Sequence, residues 1–340
     1  MSEADRATEV TPEFTWTDGE ELRRRLSMRT LVDVTRAAFI DHQHGRFEIP
    51  VRETLDDGAL LVMPVRHRDI PGLAVKTMSL NSDRNPTIAG TVLWEDPERV
   101  RHVLVDGATA TTMRTGAVSG VATDLLAREG ARHLVVVGAG GQAPDQVRAV
   151  AAVRDLTTVT IVSRRLESAR RCVERLADDP ALEGVEITAA EDVRAAVGRA
   201  DIVCCVTPAE EPLFRLDDLA PGTHVNLIGS FRPSMREMSG HDVASVDRLV
   251  VDDIEAVTTE SGEIIDALEA GELTVDGLET LGAALIAEDE AQAREGEPPV
   301  VGGRYGAEEP VDGIPDGLTV FKSVGVAIQD WALMRAVSGE

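Results

Sequence analysis

The segment 133–143, HLVVVGAGGQA, places Gly138, Gly140, Gly141, Gln142 and Ala143 directly after an apolar, β-branched run and before the helical text DQVRAVAAVRD. This is the G-x-G-x-x-A spacing of a dinucleotide-binding turn. The first glycine permits the tight turn, the second lets backbone approach a pyrophosphate, and the small third residue allows close helix–strand packing, with the helix N-terminus facing the phosphates. A merely tight turn is the alternative; the strand before, the helix after and the βαβ alternation downstream favour the dinucleotide. Pro144 falls early in the helix, where a missing N–H costs little. The next strand text, TVTIVSR, ends at Ser163, Arg164 and Arg165. A site for an unphosphorylated ribose takes Asp or Glu there, whereas serine and arginine suit a 2′-phosphate, so NADPH is expected ahead of NADH unless these arginines are plain surface charges.

A second set of residues stands out against the charge of the chain. Its 340 residues hold 60 acidic and 34 basic side chains, for a net charge of −26, and only Lys76 and Lys322 among the basic ones are lysines. In this background Arg52 follows EIPV, Lys76 lies in GLAVKTMSL and Arg114 lies in ATATTMRTGAVSG. A cation inside apolar text is costly unless paired. Three such cations around one site would bind an anionic substrate such as a carboxylate, with bidentate arginine geometry; pairing of each with a structural Asp or Glu is the alternative. The retained Lys76 suggests a need for a compact ammonium, and Lys322 reads as structural.

Other chemistries find little support. No Ser-His-Asp or Cys-His arrangement and no G-x-S-x-G is legible. Cys172, Cys204 and Cys205 draw neither a disulfide framework nor a zinc spacing. His42 and His44 read as a solvated helix end, and no metal is assigned. The acidity opposes nucleic-acid and anionic-membrane partners. It suits a salt-adapted protein, and the absence of an apolar leader or an 18-residue apolar run is read as cytoplasmic.

Positioning these residues requires about two domains, since single cores rarely exceed about 250–300 residues. After a polar tail of a dozen residues, 17–45 reads as helical with a break near Ser27, and Phe47 to Leu93 as a region of short strands. Residues 116–130 are helix-compatible. From 133 the alternation of strand and helix predicts an α/β class with a parallel sheet. Residues 283–312 read as an acidic loop, and the end as a strand followed by a helix.

The segments PVRETL, GLAVKTMSLNSDRNPTIAGTVLWED, VDGATATTMRTGAVSG, VVVGAGGQA, VNLIGSFRP and TVFKSVGVAIQD together resemble the ornithine cyclodeaminase/mu-crystallin family over most of 14–335. The resemblance implies a Rossmann domain, 116–312, inserted in a second α/β domain, 1–115 with 313–340, that binds substrate and forms a homodimer interface. It implies nicotinamide-dependent chemistry on small imino or amino acids. It makes Arg52, Lys76 and Arg114 the carboxylate and reaction-centre residues, and assigns Thr87, Gln142, Thr207, Ser230, Ser323 and Val324 to the cofactor pocket. Cyclodeaminases and related alanine dehydrogenases have an aspartate where this chain has Phe231; the sequence GSFRP is nearer the ketimine reductase-like members. The resemblance therefore favours NADPH-dependent reduction of a cyclic or linear ketimine carboxylate, such as 1-pyrroline-2-carboxylate or 1-piperideine-2-carboxylate. Ornithine or lysine cyclodeamination, alanine dehydrogenation, and non-catalytic binding of NADPH and a small ligand are the alternatives.

Overall fold

In the computed structural model the described residues are 11–50, 53–56, 59–81, 83–84, 87–295 and 317–339. Two sheets flank a central buried helix. The first sheet takes β1 (Glu13–Thr17), β2 (Phe47–Glu48), β3 (Glu53–Leu55), β4 (Leu60–His67), β5 (Leu73–Leu80), β6 (Ile88–Asp96) and β7 (Arg101–Asp106), in the order β1-β7-β6-β5-β4-β2, with β3 also on β4. Only β1 joins its neighbour in parallel; the other pairings are antiparallel. The helical text 17–45 divides into α1 (Gly19–Arg25) and α2 (Met28–Gln43). The break lies at Ser27, whose hydroxyl accepts from the Thr30 amide, as Asp18 accepts from Glu21 at the start of α1. Strand β1 is missed by pattern reading because its large residues, Phe14 and Trp16, point outward.

Helix α3 (Gly107–Leu126) joins the halves and is buried along most of its length. Its small residues make this feasible. At Gly116 a β-carbon would fall on the carbonyl of Asp145, so glycine allows α4 (Ala143–Ala151) to lie directly against α3.

The second sheet is parallel throughout: β8 (His133–Val137), β9 (Thr158–Val162), β10 (Glu186–Ala190), β11 (Ile202–Cys205), β12 (His224–Leu227), β13 (Arg248–Val251), β14 (Glu279–Thr280) and β15 (Thr319–Lys322). Their order is β10-β9-β8-β11-β12-β15-β13-β14. The direction of winding reverses between β8 and β11, the crevice where doubly wound sheets bind ligands. Helices α5 (Leu166–Leu176), α6 (Val193–Val197), α7 (Gly240–Ala244), α8 (Ile254–Glu260), α9 (Gly262–Glu269), α10 (Leu281–Glu295) and α11 (Ala327–Ser338) complete the chain.

Two expectations change. The acidic text from 283 is not a loop at its start: α10 is helical through 295, as its Ala283, Ala284, Leu285, Ala287, Ala291 and Ala293 favour, with Leu281, Ala284 and Leu285 buried; 296–312 lies outside the described residues. The C-terminal segment also divides. Strand β15 sits between β12 and β13 of the parallel sheet, while α11 returns to the first sheet, where Trp331 meets Phe47, His67 and Trp94. The passage between the two sheets at this point is therefore the short turn after β15.

The halves are also tied by charge. Asp145, fully buried in the first turn of α4, accepts from Arg23 of α1 at 2.5 and 2.9 Å and from Arg148 at 2.9 Å. These partners outweigh desolvation and hold its carboxyl below the usual range. Arg23→Ala should cost about 2 kcal/mol in urea unfolding, because it strips a buried carboxylate of a charged partner. Arg24→Ala, which removes only the exposed pair with Glu21, should leave the midpoint unchanged.

Candidate active site

Lys76 on β5 and Arg114 on α3 are both buried and converge on one acid. Lys76 Nζ donates to Asp330 Oδ2 at 2.6 Å, and Arg114 Nε lies 3.6 Å from Asp330 Oδ1. Arg114 Nη1 also donates to Gln329 Oε1. Asp330 and Gln329 stand in the first turn of α11, itself buried. The two cations thus share one structural carboxylate. Among the described residues, the charges in contact here are two positive and one negative. Arg52 lies outside the described residues.

Gly325 shows how tightly the turn after β15 fits this site. Its φ is +86°, and a β-carbon would come within 2.7 Å of Arg114 Nη1. Asp252, just after β13, fixes the same turn. Its Oδ2 accepts from Ser323 Oγ at 2.7 Å, Val324 N at 3.0 Å and Gly325 N at 2.9 Å. Burial raises the Asp252 carboxyl despite these bonds. Ser323 and Val324 are therefore buried parts of the link.

The glycine loop lies at the end of β8, beside the switch point. Gly138 has φ +114° and would place a β-carbon 2.7 Å from the Val206 carbonyl, so the tight turn demands glycine. Around Gly140 and Gly141 there is open space, as backbone approached by a pyrophosphate requires. Ala143 is buried at the start of α4. Gln142 caps that helix without a side-chain bond, and its Oε1 is buried with no hydrogen-bond partner. Open glycines, an uncapped helix start and an orphaned amide oxygen fit a bound dinucleotide. Arg175 of α5, unremarked in the sequence, donates to the carbonyls of Ala139 and Gly140 at 3.2 Å each and holds the loop. At the end of β9, Arg164 and Arg165 are exposed, and neither forms an ion pair among the described residues; Ser163 Oγ accepts weakly from Arg165 N at 3.5 Å.

Beyond β11 and β12 a buried polar cluster supports the opposite side of the crevice. Glu237 accepts from Thr207 N at 2.7 Å, Thr207 Oγ1 at 2.9 Å and Gly229 N at 2.8 Å. Glu263 accepts from Ser230 Oγ at 2.5 Å, Glu237 N at 2.9 Å and Ser261 Oγ at 2.9 Å. Lys322 Nζ donates to Ser230 O at 2.6 Å and to Ser230 Oγ, with Glu263 Oε2 3.6 Å away. The Ser230 hydroxyl is thus hydrogen-bonded between Glu263 and Lys322. Thr87 is separate, exposed in the β5–β6 turn with its hydroxyl 3.5 Å from the Arg84 carbonyl; no hydrogen bond joins it to these residues among those described.

A model of the ornithine cyclodeaminase/mu-crystallin family matches residues 17–340. The chain belongs to this family. Delta(1)-pyrroline-2-carboxylate reductase of Bacillus cereus is 30% identical over 319 residues, 91% of each chain. The Thermococcus litoralis Delta(1)-pyrroline-2-carboxylate reductase, in complex with NADH and L-proline, superposes with a TM-score of 0.80 at 27% identity, covering 96% of each chain. An archaeal alanine dehydrogenase dimer with bound NAD shares the fold, with a TM-score of 0.77 at 24% identity over 96% of this chain and 95% of the other.

As in the cyclodeaminase/mu-crystallin comparison drawn from sequence, Phe231 stands after the β12 turn, partly exposed, with the Arg232 guanidinium carbon 5.5 Å from its ring centre. A phenyl ring holds no proton for the substrate. The acids that sequence reading missed are Asp330, Asp252, Glu237 and Glu263. The signal for Asp330 is an acid inside the apolar text GVAIQDWALM, since a buried acid needs a cationic partner. Asp330→Ala should destabilise the protein by about 3 kcal/mol in chemical unfolding, because two buried cations lose their shared anion. A change below about 1 kcal/mol would show that water or another group already compensates them.

Proposed function

We propose that the protein is an NADPH-dependent reductase of a ketimine carboxylate, converting a cyclic or linear imino acid to the amino acid. The observation behind this reading is the convergence of two buried cations, Lys76 and Arg114, on the first turn of α11 at Asp330, one short turn from the dinucleotide crevice. Two cations at one point suit a substrate carboxylate, and Arg114 offers a planar donor fork to receive it. The reductase relatives and the L-proline bound to one of them support an imine of this kind.

When bound, the nicotinamide supplies a hydride to the carbon of the C=N bond; the nitrogen takes one proton in the net reaction. The protein's contribution is orientation. Arg114 and Lys76 fix the carboxylate, Asp330 holds the two cations at a set separation, and the Ser323–Gly325 turn sets the distance between the substrate and the cofactor edge. An iminium substrate arrives already electrophilic, so Phe231 in place of an acid is compatible with reduction. It opposes cyclodeamination, which needs a group to manage an amine proton. Ser163, Arg164 and Arg165 support NADPH, with the exposed guanidinium groups as the 2′-phosphate partners.

Purified protein should oxidise NADPH on addition of 1-pyrroline-2-carboxylate or 1-piperideine-2-carboxylate, followed by loss of reduced-nicotinamide absorbance. Arg114→Ala should lower kcat/KM by about 10²-fold, and Arg164→Ala should raise the KM for NADPH about tenfold with little effect on NADH. Proline and ammonia formed from ornithine, with no imine reduction, would reverse the assignment.

A homodimer through the open face of the first sheet belongs to the same proposal, supported by Phe14 and Trp16, exposed 69% and 57% on edge strand β1. Trp16→Glu should convert the dimer to monomer in sedimentation; an unchanged dimer would place the interface elsewhere.

A further inference from the structure

The Glu237, Glu263 and Lys322 cluster takes no part in binding the carboxylate. All three side chains are buried, and with all three ionised the cluster carries one net negative charge. Hydrogen bonds to Glu237, two backbone amides and a hydroxyl, favour its ionised form, and Glu263 accepts from two hydroxyls and an amide. Burial opposes this, and a single lysine cannot neutralise both acids.

The cluster's place in the fold gives that charge a target. Thr207 and Gly229, which Glu237 holds, follow the C-terminal ends of β11 and β12. The glycine loop follows β8, and Ser163–Arg165 follow β9 on its other side. With the adenosine end over β9, the nicotinamide end lies over β11 and β12. Reduced nicotinamide is neutral and the oxidised ring is cationic.

We propose that the Glu237–Glu263–Lys322 cluster poises the bound cofactor for hydride donation, by placing a buried negative charge beneath the nicotinamide half that stabilises the oxidised ring over the reduced one. This rests on the dinucleotide reading of the crevice. The charge depends on pH. Burial raises the Glu237 carboxyl to about 7, against the pull of Lys322 and its backbone donors. Below that value Glu237 holds a proton and the cluster is neutral; above it the cluster is anionic. The groups facing Glu237 are Lys322 from β15, Glu263 from α9 and Cys204 and Cys205 from β11; burial keeps both cysteines thiols, raising Cys204 to about 12 and Cys205 well above its ordinary value. Arg236 is turned outward to Asp266 at 2.8 Å. Asp252, raised by burial, faces the Ser323–Gly325 turn instead.

The test is the ratio of dissociation constants for NADPH and NADP⁺, measured by calorimetry between about pH 5.5 and 9, with NADH and NAD⁺ as a second pair. The phosphates are common to both members of a pair, so their titration cancels and the ratio reports the ring. In wild type the preference for the oxidised form should rise about tenfold as pH passes through about 7. Glu263→Gln, whose amide can donate to Ser261 Oγ, removes one negative charge. It should lower the preference for the oxidised form about tenfold at high pH and move the step to lower pH. A ratio independent of pH in wild type, or unchanged in Glu263→Gln, overturns the proposal while leaving cofactor binding intact. Failure to bind any of the four nucleotides overturns the cofactor reading and this proposal together.

Discussion

One buried carboxylate shared by two cations is the constraint around which the site is arranged. Asp330 reaches Lys76 from the last helix across 254 residues of sequence, and it meets Arg114 of the central helix at the same point. For this the chain must complete the parallel sheet with β15, turn within a few residues and lay α11 on the other sheet. Gly325 and Asp252 make that turn possible, one by lacking a side chain and the other by satisfying three donors at once. The proposed substrate and cofactor sites are consequently the two sides of one short connection. Their spacing is set by covalent geometry and buried hydrogen bonds rather than by a mobile loop.

Charge is distributed in two opposite ways inside an acidic protein. The surface carries most of the net −26, where solvent and salt screen it. In the interior, where screening is weak, two cations converge on Asp330, and among the described residues two acids, Glu237 and Glu263, surround Lys322. The first arrangement suits an anionic substrate. The second suits a ring that becomes positive on giving up hydride. Both can be built in an acidic chain because each depends on a few buried groups and not on overall charge.

The glycine loop was legible because its chemistry is local: Gly138 to Ala143 are contiguous, and their turn requirement does not depend on distant residues. Lys76 and Arg114 were legible as cations in apolar text. Their partners were not, since Asp330 and Gln329 reach them only through the topology of the last strand and helix. Resemblance assigned Ser230 to the cofactor pocket. Its hydroxyl lies between Lys322 and Glu263, a placement set by the crossing of β12, α9 and β15 that no local pattern encodes. Strand β1 escaped notice because its apolar residues face outward, and the start of the acidic text near 283 was misread because charge resembles loop composition even where alanine and leucine build a helix.

The most direct measurement is a crystal structure of the protein with NADPH and L-proline. The expected result is the proline carboxylate within hydrogen-bond distance of Arg114 and Lys76, with Asp330 still joining them and the ring carbon beside the nicotinamide. A carboxylate seated away from Arg114 and Lys76 would contradict the assignment of these two cations to substrate recognition.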